Sequence, residues 1–191
     1  MKKDKNLQGV TSVPGFKACG IASGMRRSGR KDLALVLNTG ANPVAAGVFT
    51  SNRFAAAPVL YSRAVLSKGA TGMCSVVLNS GSANACTGEN GLKDTVNTAK
   101  AVGAALEIDP RQVLVCSTGM IGTPLPMDKM LSGIETAAAS LSEEGGADAS
   151  WAILTTDNEP KTVHYQADGY QIGGMAKGAG MLAPALATML C

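Results

Sequence analysis

Histidine is almost missing from this sequence: His164 is the only one in 191 residues. A single imidazole excludes an H-E-x-x-H metal site and any two-histidine metal set. A Ser–His–Asp triad would have to run through His164. That residue sits in the alternating run Thr162-Val163-His164-Tyr165-Gln166 and reads as an ordinary strand residue. No serine stands in a G-x-S-x-G turn, so the hydrolase nucleophile elbow is absent too. Any nucleophile in this chain must find its base somewhere other than histidine.

Other scarcities exclude other classes. Aromatic residues make up 4% and charged residues 16%. The net charge is +3, and Arg26, Arg27, Arg30 and Lys31 are broken up by Ser28 and Gly29. A nucleic-acid surface needs a denser basic stripe with stacking aromatics, so no nucleic-acid partner is expected. No apolar run approaches the ~20 residues of a membrane span. The basic start, Met1 to Lys5, leads into polar residues where a signal peptide has an apolar segment. The expected location is cytoplasmic, with no membrane partner. The five cysteines (Cys19, Cys74, Cys86, Cys116, Cys191) include no C-x-x-C pair. A disulfide framework and a cysteine zinc site are both unexpected, and the thiols read as reduced and buried.

What is present is a core-forming composition. Apolar residues reach 46%, and 23 glycines supply many tight backbone positions. The length allows one domain or two small ones. Residues 1–15 read as a flexible entry ending at Pro14-Gly15. Asp32–Asn38 and Val44–Thr50 read as two buried strands of a hairpin, turned by Thr39 to Pro43. Pro58–Leu66 is ambiguous between strand and helix. Gly72–Asn79 reads as a strand, followed by a loop of small residues from Ser80 to Gly88. Leu92–Leu106 reads as a helix with Leu92, Val96, Ala99, Val102, Gly103 and Leu106 on one face. A strand over Gln112–Cys116 leads into a turn, Ser117 to Gly122. Pro126 fits the first turn of a helix running to about Leu141. Ala147–Leu154 reads as helical, and Lys161–Gln166 with Tyr170–Ile172 as a hairpin around Asp168-Gly169. The chain then turns glycine-rich at Gly173 and helical from about Ala185. Strands and helices mix without strict alternation, which predicts one α/β domain with a mixed sheet.

Three loops of Gly, Ser, Thr and Asn follow strands or helices: Asn79 to Gly88, Ser117 to Gly122, and Thr155-Thr156-Asp157-Asn158. Such loops often carry sites, but turns need the same residue types. Gly178-Ala179-Gly180-Met181-Leu182-Ala183 matches G-x-G-x-x-A. A dinucleotide fingerprint must open a βαβ unit and have an acid about 20 residues on, and that context is missing. No Gly-Lys is followed by Ser or Thr, so no P-loop is present.

Several segments in order carry a resemblance. They are Leu33–Asn38, Ala46-Gly47-Val48-Phe49-Thr50, Asn79-Ser80-Gly81 with Ala83–Gly88, Cys116–Gly122 (CSTGMIG), Leu125–Lys129, Thr155–Asn158 (TTDN) and Gly173–Leu190. From about Val10 onward the chain resembles the ornithine acetyltransferase family of arginine biosynthesis, the bifunctional glutamate N-acetyltransferases. Ser82 stands where the family loop often has Asn.

The resemblance implies a layered α/β/β/α sandwich with mixed α+β sheets, of which this chain is the N-terminal half. Family members are made as a longer precursor that cleaves itself before the Thr of an Ala-Thr-Met-Leu motif. Here that bond is Ala187–Thr188. Residues 1–187 then correspond to the α subunit, and 188–191 to the start of β. Thr188 is the implied nucleophile, Thr118 and Gly119 the implied oxyanion hole, and Thr155, Lys177 and Thr188 the implied substrate contacts. The implied reaction moves acetyl from N-acetylornithine to glutamate. No metal and no cofactor are implied, and acetyl-CoA would enter only as an alternative acetyl donor. The implied partner is the β subunit from the same precursor, in an α2β2 heterotetramer, and without β the chain is expected to be inactive. Two rival expectations are a related self-processing amidohydrolase or aminopeptidase and a non-catalytic truncated subunit. An N-terminal Thr fits the histidine-poor composition, because its own α-amine, with pKa near 8, can serve as the base.

Overall fold

The computed structural model describes residues 5–180 and 189–191. A kinked 3-10 segment, Lys5–Ser12, opens the described chain. Strands β1 (Phe16–Ile21), β2 (Leu33–Asn38), β3 (Ser75–Ser82) and β4 (Val113–Met120) form one sheet in that order. The first two pairings are antiparallel and β3–β4 is parallel. Helix α1 (Ala57–Leu66) precedes β3, and helix α2 (Gly88–Leu106) is the crossover that parallel pairing requires. Helices α3 (Met127–Ala139) and α4 (Gly146–Ala152) follow β4. The hairpin β5 (Lys161–Ala167) and β6 (Tyr170–Ala176) forms a separate two-stranded sheet.

Alternation along the strands builds two apolar layers. Cys19, Leu33, Leu35, Val77, Val113 and Val115 point to one face, where Ala99 and Val102 of α2 and Met130, Ile134 and Ala137 of α3 cover them. Ala18, Ala34 and Leu78 point to the other, against Ala149 and Ala152 of α4, Ile153, Met175 and Leu190. Burying a side chain such as Ile134 is worth about 1.5–3 kcal/mol. On the second face the residues of β1 are small because α4 lies almost on the sheet: a Cβ at Gly20 would overlap the backbone of Asp148 and Ala149.

The ambiguous segment is a helix. Pro58 lies in the first turn of α1, where its missing N–H costs nothing. Ser62 then docks α1 on the sheet edge: its Oγ donates to Val115 O (2.9 Å) and accepts from Val115 N (3.1 Å). That contact occupies β4 backbone groups that an edge strand would otherwise leave open.

Several expectations are corrected. Val44–Thr50 is not a strand; only Val44 forms an isolated bridge, to Thr71. Both edges of β2 are already taken by β1 and β3, so no edge is left for a hairpin partner, and Val48 is 92% exposed. Residues 5–12 are not a loose entry, since Ser12 is buried and Thr11 Oγ1 accepts from Gly146 N (3.1 Å). On α2, Leu92 is exposed, and the buried stripe is Gly91, Thr95, Thr98, Ala99, Val102 and Gly103. Of the thiols only Cys19 is fully buried. Cys74 and Cys116 are half-buried, and Cys86 and Cys191 are exposed. Cys86 sits in a left-handed turn entering α2 (φ 57°), outside both apolar layers. All five thiols are free. The helix expected from Ala185 falls largely outside the described residues. Among the described residues, no helix is long and apolar enough to cross a membrane.

The β5–β6 hairpin inverts the usual alternation. Val163, Tyr165, Tyr170 and Ile172 lie on one face and are all about half exposed, while Thr162, His164 and Gln171 on the opposite face are half-buried. His164 is a strand residue, as expected, with its Nε2 3.4 Å from Gln171 Oε1.

Replacing Gly20 by Ala forces backbone against backbone between β1 and α4. The substitution should lower stability by about 1–3 kcal/mol, the usual cost of overpacking. A lower urea midpoint with an unchanged m-value is the expected result.

Candidate active site

The carboxyl end of the parallel pair β3–β4 gathers the first group of candidate residues. Ser80 pairs with Thr118 and Gly81 with Gly119, and a bulge at Ser82 ends the ladder. Both strands thus run further into their loops than Gly72–Asn79 and Gln112–Cys116. The side chains of the first loop explain this. Asn79 Oδ1 accepts from Ser117 Oγ (2.6 Å), and its Nδ2 donates to Ser82 O (3.0 Å). Asn84 donates to Gly91 O (2.9 Å) and Thr95 Oγ1 (3.0 Å), tying the loop to α2. Ser82 Oγ donates to Thr123 O (2.8 Å). Asn79, Ser82 and Asn84 therefore hold the loop together, while the buried Ser80 Oγ has no hydrogen-bond partner among the described residues.

Thr118 and Gly119 lie at the end of β4. Thr118 is fully buried, and strand alternation puts its side chain on the face shared by Leu78 and Cys116, the α4 side. Gly119 has φ 130°, and a Cβ there would overlap the Gly81 backbone. Only glycine fits this position.

The second group lies where α4 ends and β6 ends. Thr155 is half-buried just after Leu154, and Lys177 is 3% exposed just after β6. Asp157 joins the two loops. Its Oδ1 accepts from Gly178 N (2.5 Å) and from Lys161 Nζ (2.7 Å), and its Oδ2 is buried with no hydrogen-bond partner. Burial pushes the Asp157 carboxyl up, but hydrogen bonds from Lys161 and Gly178 and the Lys161 charge outweigh it and hold it below the usual range. Lys177 Nζ donates to Gly178 O (2.7 Å) and forms no ion pair among the described residues. Burial pushes its pKa down; the Asp157 charge opposes this and Lys161 adds to it. A buried ammonium held by a carbonyl, with no direct ion pair among the described residues, is ready to accept an anionic partner. Lys177 N also donates to Leu190 O (3.1 Å), and Leu190 packs with Met175 and Ile153.

Arg26 connects the two groups. Its Nη1 donates to Leu154 O (2.7 Å) and its Nη2 to Thr155 O (3.3 Å). Its Cγ would lie 3.1 Å from a Cβ on Gly81. The structure thus brings Thr118 and Gly119 toward Thr155 through Gly81 and Arg26, and Thr155 toward Lys177 through Asp157. Ala187 and Thr188 lie outside the described residues. The roles of Arg26 and Asp157 were missed by sequence reasoning. So was that of Asp32, whose signal was a charge opening an apolar strand, where burial demands partners.

Two concavities among the described residues lie elsewhere. One is lined by Cys19, Ile21, Glu144 and Asp148, the other by Leu92, Val96 and Lys100 on the outside of α2. Burial pushes the Cys19 thiol up to about 11, and it donates to Ala137 O (3.2 Å). Among the described residues no cluster of His, Cys, Asp and Glu could hold a metal ion.

The ArgJ family model matches residues 17–191. This chain belongs to the ArgJ family. The arginine biosynthesis bifunctional protein ArgJ of Streptomyces avermitilis is 57% identical over 181 residues, covering 95% of this chain and 47% of that protein. Its counterpart in Mycobacterium tuberculosis is 53% identical over 193 residues, covering 96% of this chain and again 47% of that protein. The chain therefore spans about half the length of these ArgJ relatives. The crystal structure of an ornithine acetyltransferase from Mycobacterium tuberculosis, in complex with ornithine, matches with TM-score 0.89 and 52% identity. That match covers 95% of this chain and 97% of the solved one. The ArgJ structure from Bacillus halodurans matches with TM-score 0.83 and 37% identity over 92% of this chain and 93% of the solved one. The mixed α/β fold of the ArgJ family is the fold of this chain.

Because the folded-state pKa of Asp157 is depressed, its contribution to stability is fully present above the unfolded carboxyl value, near 3.9. It is lost as pH falls through the folded value. Acid unfolding should show this directly: Asp157→Asn should be less stable than the parent at pH 6, and the gap should narrow below pH ~4. A gap that stays constant with pH would remove Asp157 from the acid response.

Proposed function

We propose that this chain is the α part of a self-processing acetyltransferase that moves acetyl from N-acetylornithine to glutamate in arginine biosynthesis. The observation that carries the proposal is the buried Lys177, which forms no ion pair among the described residues and is tied through Asp157, Thr155 and Arg26 to the Thr118–Gly119 strand end. Identity of 53–58% to proteins called bifunctional ArgJ supports it, as does 52% to a structure called ornithine acetyltransferase. Leu190, two residues after Thr188 in the sequence, is anchored beside Lys177 through its carbonyl.

The proposed chemistry balances without histidine. The Thr188 hydroxyl attacks the Ala187 carbonyl carbon, and the peptide nitrogen leaves as the Thr188 amine. Water opens the resulting ester, giving an Ala187 carboxylate and restoring the hydroxyl. The free amine then takes the hydroxyl proton while the oxygen attacks the acetyl carbonyl of N-acetylornithine. The proton passes to the departing ornithine amine, and acetyl rests on Thr188 as an ester. The glutamate amine attacks that ester, and N-acetylglutamate leaves. Each step passes through an oxyanion, for which a hydroxyl or N–H at Thr118–Gly119 supplies donors worth a few kcal/mol. Lys177 pairs with the carboxylate common to both amino acids. Water in place of glutamate as acceptor would make the protein an amidohydrolase. The full proposal includes a β partner from the same precursor, an α2β2 assembly and a cytoplasmic location. It uses no cofactor, and acetyl-CoA is tested as an alternative donor.

Intact mass of protein expressed from the native reading frame tests the first step. Two fragments separated between Ala187 and Thr188 are expected, and Thr188→Ala should stay whole. An uncut parent, or a variant that still splits there, sinks the proposal. For turnover, Lys177→Met should raise KM for N-acetylornithine about 10- to 100-fold, matching ~1.5–3 kcal/mol for a charge-assisted hydrogen bond. Since the Lys177 pKa is lowered, parent KM should begin to climb at a lower alkaline pH than an ordinary lysine, near 10.4, would give. Release of acetate without transfer to glutamate would favour the amidohydrolase.

A further inference from the structure

We propose that Arg26 is a positioning residue for this reaction. It acts as a strap that holds the Leu154–Thr155 backbone against the Gly81–Gly119 strand end and so sets the distance between substrate contact and oxyanion hole. The inference rests on the acetyltransferase reading.

Three observations converge on it. The first is that the backbone of Arg26 is itself fixed. Asp32, fully buried at the start of β2, accepts from Arg26 N (2.8 Å), Ser23 N (2.7 Å) and Ser23 Oγ (2.8 Å). The Asp32 carbonyl accepts from Ser80 N (2.9 Å), so the same residue anchors the loop and the end of β3. The second is that the guanidinium spends its donors on two consecutive carbonyls, Leu154 O and Thr155 O. No carboxylate pairs with it among the described residues. A planar fork can hold two carbonyls at once, whereas an ammonium is a point donor. The third is that the aliphatic stem lies against Gly81, the Cα partner of Gly119. A Cβ at Gly81 would press on the stem at 3.1 Å, and its φ of 108° already favours glycine. Thr118–Gly119 and Thr155 sit on segments far apart in sequence, and Arg26 is the side chain that bonds one segment while touching the strand pair that carries the other.

Catalysis is sensitive to such spacing, since a misplacement of about 1 Å can cost 10²-fold. The test uses protein from the native reading frame with Arg26→Ala, Arg26→Gln and Arg26→Lys. Two readouts are taken: hydrogen exchange, and steady-state transfer from N-acetylornithine to glutamate. In each variant the amides of residues 154–158 should exchange faster while α2 and α3 keep their protection. The kcat should fall about 10²-fold, with a smaller change in KM. Arg26→Lys should recover thermal stability but not kcat, and free guanidinium should restore part of the kcat of Arg26→Ala. Unchanged protection at 154–158, or a kcat equal to the parent in any folded variant, overturns the proposal. A parent that performs no transfer refutes the acetyltransferase reading instead, and the exchange readout still decides whether Arg26 holds the loop. If Arg26→Ala does not fold, the Gln and Lys variants carry the same test.

Discussion

The contact between Gly81 and Gly119 is the constraint on which the rest of the site depends. Two parallel strands can extend beyond the sheet only if their backbones stay paired, and here Gly119 does so at φ 130° with the Gly81 backbone occupying the space of a side chain. The pairing places Thr118 fully buried on the α4 side of the sheet. It also leaves a smooth surface at Gly81 along which the Arg26 stem lies. A side chain at Gly119 would press on the Gly81 backbone and open the ladder, and one at Gly81 would press on the Arg26 stem.

The second face of the sheet follows from the same economy of side chains. Ala18, Gly20 and Ala34 are small, so α4 settles close to β1 and β2. That depth brings Ile153 and Leu154 into the core and delivers Thr155 near the strand ends. The larger residues are kept for the opposite face, where α2 and α3 need a thicker layer. The candidate residues Thr118, Thr155 and Lys177 therefore share the side of the sheet that α4 covers.

Much of this was legible in the sequence because it followed from local rules. The α3 start at Pro126, the hairpin around Gly169 with φ 84°, and the β2 run each obeyed a single strong preference. What was illegible depended on who else occupied an edge or a face. Val44–Thr50 has a strand's composition and no free strand to pair with. Leu92 has a helical periodicity, but Gly91 and Thr95 win the buried position because Asn84 bonds to them. The candidate site divides the same way. Thr118, Gly119, Thr155 and Lys177 came from family resemblance, and the structure places them on two neighbouring strand and loop ends. The side chains that connect them, Arg26, Asp32 and Asp157, are charged residues whose partners lie up to 129 residues away. Asp32 left a local signal as a charge heading an apolar strand, but no local pattern announces the bonds of Arg26 to Leu154 and Thr155 or of Asp157 to Gly178.

The inverted hairpin has a consequence for the bulk behaviour of this chain. Val163, Tyr165, Tyr170 and Ile172 form one apolar sheet face turned to solvent, with the two tyrosine rings 6.2 Å apart. Salts excluded from protein surfaces strengthen attraction between exposed apolar faces without opening a core. For this chain the hairpin is therefore one of the apolar surfaces, beside the segment carrying Val48 and Phe54, through which ammonium sulfate would draw folded molecules together.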